Sequence, residues 1–221
     1  MHKAEEDYLK IIYELQQENN NHLIKTKTLV QTLNYTSQSV NEMIKRLQDK
    51  KLVFFKPYQG VSLTQKGTQI ALRMIKAHRL WEVFLSKKLG LDWQDLHEEA
   101  EKLEHVTSNE VLNRLYDYLG KPDTCMHGNP IPNEEGIILQ DEAHSLWEAP
   151  PHKSLIIKRV KDDKDLLNYL NNIPLSINTS LKITSKDAFA NILTIQTPTH
   201  THTLSKNIAD AIFVTTKEEE H

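Results

Sequence analysis

Between Gly120 and Pro151 the pattern of the chain changes, across an interval that holds five prolines. Proline fixes its own φ and lacks an amide proton, so no helix runs through such a stretch. Gly128, Gly136 and Asn129-Pro130 add further breaks, which makes this a linker or loop-rich passage. Apolar residues ahead of it recur at helical spacing. Behind it they alternate or gather in short β-branched runs: Ser154 to Val160, Leu181 to Thr184, Asn191 to Gln196 and Ala211 to Thr215. One short helix, Asp163 to Asn171, interrupts these runs. A small β-barrel-like unit is therefore expected at the back of a helical front.

The front third reads as helices followed by a hairpin. Tyr8, Leu9, Ile11, Ile12 and Leu15 form a stripe that ends in the polar Glu18-Asn19-Asn20-Asn21 loop. A short helix from Lys27 to Leu33 follows, with Thr26 as its expected N-cap. Asn34-Tyr35 connects to a helix opened by Thr36-Ser37-Gln38-Ser39, with Val40, Met43, Ile44 and Leu47 on its buried side. Leu52 to Lys56 reads as a strand, Pro57-Tyr58-Gln59-Gly60 as a turn, and Val61-Ser62-Leu63 as the returning strand. Two short helices and then a hairpin is the order of a winged helix-turn-helix. Its second helix carries hydroxyls and amides at the N-terminal end, suited to phosphates and base edges. The DNA-facing candidates are Lys27, Thr36, Ser37, Gln38, Ser39, Glu42, Lys45, Arg46 and, in the wing turn, Tyr58. The alternative is that Thr36-Ser37 merely caps a helix of another all-α domain.

Thr64 is expected to cap a long helix through Ile70, Leu72, Met74, Ile75, His78, Leu80, Trp81, Phe84 and Leu85, which stops at Gly90. Helices near 93–105 and 108–119 follow. So much apolar helical surface exceeds what a winged domain covers, and a dimer interface accounts for the excess.

Within 97–105, helical periodicity places Glu101, Glu104 and His105 on one side. Two carboxylates and an imidazole at i, i+3 and i+4 make a half-shell for a divalent cation. Carboxylates with one imidazole suit manganese or ferrous iron, whereas zinc and copper(I) more often recruit thiolates. The competing reading is a solvated, Glu-rich helix face.

Composition sets the bounds. The 221 residues allow one large domain or two to three small ones, and 38% hydrophobic with 26% charged residues is globular usage. Residues 1–60 hold nine Lys or Arg against seven Asp or Glu, a local +2; the other 18 against 23 give −5. A modestly basic front on an acidic body permits DNA binding through a patch. Met1-His2-Lys3-Ala4-Glu5-Glu6 does not read as a signal peptide, no apolar run reaches the length of a membrane span, and a single cysteine, Cys125, leaves no intrachain disulfide. The expected location is the cytoplasm.

Glu6-Asp7-Tyr8-Leu9, the winged helix, His78-Arg79-Leu80 with Glu82, His97-Glu98-Glu99-Ala100, Glu104-His105 and Gly128-Asn129-Pro130-Ile131-Pro132 occur in that order. The set resembles the diphtheria toxin repressor and manganese transport regulator family over nearly the whole chain. The resemblance implies a mainly α fold with β: a winged helix-turn-helix at 1–63, a helical dimerisation and metal-binding domain at 64–140, and a linker with an SH3-like (FeoA-like) small β-barrel domain at 141–221. It implies a homodimeric, metal-activated repressor that binds double-stranded operator DNA of metal-uptake genes, with no membrane and no small-molecule substrate. Carried over by position, one metal site would comprise Asp7, Glu101, Glu104 and His105. Asp7 and Glu101 are carboxylates where iron-responsive members hold Met and Cys, so the resemblance favours Mn²⁺, with Fe²⁺ as second activator and Zn²⁺ as a tight binder. Lys10 stands where some small manganese regulators place a glutamate for a second, adjacent ion. A further site would use His78, Glu82, Cys125, His127 and Asp162, with His97 a weaker candidate. For His78 and Glu82 the bland reading is an i,i+4 surface pair; for Cys125 it is a small buried residue.

The alternatives are an iron-responsive repressor of the same family, a metal-independent winged-helix regulator and, from another class, a metallohydrolase. His97-Glu98-x-x-Glu101 approaches the zincin motif His-Glu-x-x-His but ends in Glu, and Glu101-Lys102-Leu103-Glu104-His105 misses the inverted motif at its first position. Both departures argue against a hydrolytic zinc site.

Overall fold

The computed structural model describes residues 1–18, 22–91, 93–139 and 142–217. The front comprises α1 (Lys3–Glu18), α2 (Thr26–Leu33), α3 (Ser37–Asp49), β1 (Val53–Lys56) and β2 (Gly60–Leu63). Tyr8, Leu9 and Ile12 of α1 are buried at helical spacing against Leu29 of α2, Val40, Ile44 and Leu47 of α3, and Val53 and Val61 of the hairpin. The strands pair antiparallel from Val53 opposite Leu63 to Lys56 opposite Gly60, and Ile24 bridges to Val61. Thr36 caps α3, its Oγ1 accepting the Ser39 amide at 3.2 Å. Thr26 lies inside α2; the cap position is Lys25, with no side-chain cap bond. A residue already in helical geometry cannot turn its hydroxyl back to the first free amides.

The middle is helical: α4 (Gln65–Leu89), α5 (Trp93–Glu104) and α6 (Asn109–Tyr118). Thr64 Oγ1 accepts the Gly67 amide at 3.1 Å, and Gly90, in left-handed geometry, closes α4. Ala77, Leu80 and Val83 of α4 pack on Leu112, Leu115 and Tyr116 of α6 and on Cys125 and Ile131 of the following loop. Leu85 packs on Leu96 and Ala100 of α5. Leu89, Val106, Val111 and Tyr118 of this unit remain exposed.

The back contains β3 (His144–Ser145), β4 (Ser154–Val160), α7 (Lys164–Asn171), β5 (Ser180–Asp187), β6 (Ile192–Gln196), β7 (Thr201–Ser205), α8 (Lys206–Asp210) and β8 (Ile212–Thr216). They build a six-stranded antiparallel sheet in the order β3-β8-β4-β5-β6-β7. Alternate residues Leu155, Ile157, Leu181, Ile183, Leu193, Ile195, Ile212 and Val214 point into its core under Leu166, Leu167 and Leu170 of α7. His200-Thr201-His202 runs into β7, where His202 sits opposite Ile195. Its Thr-His-Thr pattern lacks the apolar alternation that marks the other strands. The polar residues 19–21 and the acidic end from Glu218 lie outside the described residues. No helix among the described residues is long and apolar enough to cross a membrane.

Candidate metal centres

Two clusters of metal-ligating side chains lie where the three units meet. The first joins α1 to the end of α5. His105 Nε2 lies 3.0 Å from Asp7 Oδ1 and 3.4 Å from Glu104 Oε1. Glu6 accepts or shares a proton with the other ring nitrogen, Nδ1, at 2.7 Å. A carboxylate on the far nitrogen of an imidazole fixes its orientation and tautomer, which is how metal-binding histidines are held. Glu6 was not among the expected site residues; the tandem Glu6-Asp7 was its only trace in the sequence. Burial, reinforced by Glu104, pushes the Asp7 carboxyl above its usual range against the pull of His105. Lys10 donates to both oxygens of Glu104, at 3.3 and 3.0 Å.

The second cluster is enclosed. His78 and Glu82, one turn apart on α4, meet Asp162 just beyond β4: His78 Nε2 lies 3.2 Å from both Glu82 Oε1 and Asp162 Oδ2. His127 Nδ1 approaches Glu82 Oε1 at 3.3 Å and Asp162 Oδ1 at 3.4 Å. Donor atoms of Glu82, Cys125 and His127 all lie within 4.8 Å of one another, as do those of His78, Glu82, His97 and Asp162. The side chains of Glu82 and His127 are both 0% exposed.

A turn pressed against β4 builds this arrangement. The Cys125 amide donates to Asn129 O at 2.9 Å, and the Gly128 amide donates to Cys125 O at 3.1 Å. Asn129 Nδ2 donates to Val160 O at 2.8 Å, and the Val160 amide returns to His127 O at 3.0 Å. Gly128 has φ of +76°, and a Cβ there would sit 2.0 Å from Lys158 O. Only glycine lets the turn lie that close. Lacing the turn to Val160 places Cys125 and His127 beside Asp162, two residues further on.

Several of the converging donor atoms lack a hydrogen-bond partner. Among the described residues, His78 Nε2, both Glu82 oxygens, His97 Nδ1, His105 Nε2 and Asp162 Oδ1 are buried with no hydrogen-bond partner. Burying a carboxylate this way is costly unless a cation answers it. Burial pushes the Cys125 thiol well above its usual value, with Glu82 and Asp162 adding to the effect, so a cation must displace its proton. Burial likewise opposes ionisation of Asp162, yet His78 and His97 hold its carboxyl well below the usual range. Oxygen and imidazole donors with one thiol therefore fit a divalent transition-metal ion at both clusters.

Of the residues expected in the first site, Asp7, Glu104 and His105 come together. Glu101 turns to His97, its Oε1 3.4 Å from Nε2. That neighbour holds Glu101 at about 2, while Asp162 and Glu101 raise His97 to about 9. His78, Glu82, Cys125, His127 and Asp162 all reach the second cluster, and His97 joins them at its edge. The clusters touch: Glu104 Oε2 lies 2.6 Å from His78 Nδ1. In the front unit, Lys27, Thr36, Ser37, Gln38, Ser39, Glu42, Lys45, Arg46 and Tyr58 are all exposed. Gln38 donates to Glu42 at 3.0 Å, so these two side chains present themselves as a pair.

Comparison with known proteins fits this geometry. Residues 1–61 match the N-terminal DNA binding domain of iron dependent repressors, 64–133 their metal binding and dimerisation domain, and 144–216 the FeoA domain. The iron-dependent repressor IdeR of Mycobacterium tuberculosis is 30% identical over 223 residues, covering 95% of each chain. The chain belongs to the diphtheria toxin repressor/IdeR family of metal-dependent transcriptional repressors. This is a family of repressors, not of enzymes, which removes the metallohydrolase alternative. Among solved repressors, the manganese regulator SloR superposes with a TM-score of 0.84 at 34% identity, covering 96% of this chain and 98% of its own. ScaR with bound Zn²⁺ superposes with a TM-score of 0.86 at 33% identity, covering 96% and 99%.

Proposed function

We propose that this repressor is manganese-activated and homodimeric, binding operator DNA of metal-uptake genes when Asp7, Glu104 and His105, and His78, Glu82, Cys125, His127 and Asp162, hold divalent ions. The observation that carries this reading is the donor set of the first centre. Carboxylates from Asp7 and Glu104 with one imidazole are hard ligands, and hard ligands suit Mn²⁺. The likeness to SloR, described as a manganese regulator, supports it. IdeR and the thiol of Cys125 favour the second reading, activation by Fe²⁺. Zn²⁺ would bind the same donors tightly, so selection between metals would rest on geometry and supply.

A bound divalent cation supplies the positive charge that lets these carboxylates stay ionised side by side. Asp7 then anchors α1, the first helix of the DNA-binding unit, to Glu104 and His105 of the helical unit. Asp162 anchors the C-terminal unit to α4 in the same way. The exposed Leu89, Val106, Val111 and Tyr118 are the surface a second copy would cover. With both anchors set, the two α3 helices of the dimer keep one separation, as a two-fold operator requires. Ordering of this kind couples metal to DNA by about 1–3 kcal/mol, or roughly 5–150-fold in affinity.

The test is an operator shift assay, using a duplex selected from a random pool, titrated with Mn²⁺, anaerobic Fe²⁺ and Zn²⁺. Mn²⁺ should tighten binding by up to about 100-fold and a chelator should reverse it. Asp7→Ala and Glu82→Ala should each abolish the response while the dimer persists in sedimentation. Manganese-responsive binding unchanged in both variants would overturn the proposal, and a response to Fe²⁺ alone would favour the second reading.

A further inference from the structure

α1 presents Asp7 and Lys10 to α5 from the same face, three residues apart. Asp7 reaches His105, and Lys10 reaches Glu104, which is 1% exposed. The Lys10 ammonium contacts both Glu104 oxygens, at 3.3 and 3.0 Å, and is itself only 15% exposed. The same carboxylate answers His78 Nδ1 at 2.6 Å and faces His105 at 3.4 Å. A candidate metal ligand thus carries a built-in, permanent cation from another domain.

We propose that Lys10 is an internal counter-cation that sets the metal threshold of the Asp7, Glu104 and His105 centre. The inference rests on reading that cluster as a metal site, and it adds what governs occupancy. Two effects act in one direction. The ammonium holds the Glu104 lone pairs that a divalent ion would need. Its charge also repels a second cation in a poorly solvated seam, where like charges interact more strongly than in water. Low concentrations of metal then fail to displace the lysine, and the repressor responds only above a set level.

The prediction has a direction that mere damage would not produce. Loss of a structural contact would loosen Glu104 and weaken metal binding, whereas loss of a competing charge tightens it. Calorimetric titration of the full chain with MnCl₂ should show one binding step removed by Asp7→Ala. Lys10→Gln, which removes charge but keeps donors for Glu104, should tighten that same step about tenfold. Lys10→Arg, which keeps the charge, should stay within about threefold of the parent. Lys10→Met provides the same loss of charge should the Gln variant be poorly folded, and thermal melting of each metal-free variant reports folding. Equal or weaker binding in folded Lys10→Gln and Lys10→Met, with the Asp7→Ala step still missing, would overturn the role of Lys10 and leave the site standing. Full manganese binding by Asp7→Ala would instead overturn the site, and the proposal with it.

Discussion

The two clusters touch through one carboxylate, Glu104, and differ in nearly everything else. The one around Glu82 and His127 is sealed between α4, a loop and the end of β4, with both of those side chains wholly buried. The one around His105 lies at the seam of α1 and α5, where Asp7 is 36% exposed and a lysine already occupies part of the donor set. In the enclosed cluster, His78 Nε2, both Glu82 oxygens and Asp162 Oδ1 are buried with no hydrogen-bond partner among the described residues, which under the proposed function favours retention of an ion. The seam cluster crosses between domains and has Lys10 on one of its carboxylates, which under the proposal above favours exchange. The contact between Glu104 and His78 lets each state influence the other through one hydrogen bond.

The largest way to break this contrast is to dismantle the enclosed cluster without touching a donor. Gly128→Ala forces a methyl group into Lys158 O in a backbone region that costs a non-glycine residue energy. A loss of about 3 kcal/mol is expected from clash and strain together. Thermal melting should show it, and calorimetry should lose the tighter manganese step while the seam step persists. Loss of both steps at once would mean that the clusters are one cooperative unit.

A smaller effect tests how the seam cluster is supported. Glu5, two residues before Asp7, is fully buried, and the Lys50 ammonium donates to both its oxygens at 2.7 and 2.8 Å. Lys50 is the C-cap residue of α3, so this pair ties the first turn of α1 to the end of α3. Among the described residues, Lys50→Met leaves a buried carboxylate with the His2 amide as its remaining hydrogen-bond partner, at 3.2 Å. Because Lys50 is 45% exposed, the penalty is discounted to about 2 kcal/mol. Denaturant unfolding should register the loss, with manganese binding at the enclosed cluster unchanged. An intact melting profile would show that α1 is held by its apolar stripe alone.

How far these regions could be read from the sequence follows the same division. Local chemistry was legible: Thr36 and Thr64 as caps, the stripe Tyr8, Leu9 and Ile12, and the Gly60 hairpin all express short-range rules. The enclosed cluster was legible only through the ordered resemblance, because Cys125, His127 and Asp162 come together through a turn laced to Val160 and not through spacing. Glu101 shows the limit. Helical periodicity predicts it on the side of Glu104 and His105, but periodicity does not fix a side-chain rotamer, and His97 one turn earlier on the same helix claims its carboxylate. Glu6 was invisible as a site residue, and Lys10 was legible only as the residue at a family glutamate position, because the partners of both lie more than ninety positions away. β7 was hidden for a different reason: an edge strand of Thr and His residues carries no apolar alternation.

The smallest predicted effect separates holding a ligand from being one. Glu6 faces His105 Nδ1, while Asp7 faces the Nε2 that an ion would take. Removing such an orienting carboxylate weakens metal sites by about 10–100-fold, and the lower value is expected here because Lys10 and Asp7 still frame the seam. Glu6→Gln keeps the shape and a hydrogen-bonding end, so it should cost about tenfold in the seam step of a manganese titration and leave the enclosed step alone. It should also leave the stability of the metal-free protein nearly unchanged, since an amide still reaches His105. Loss of the enclosed step in Glu6→Gln would mean that the imidazole of His105 communicates with His78 through Glu104. The two clusters would then differ in exposure but not in function.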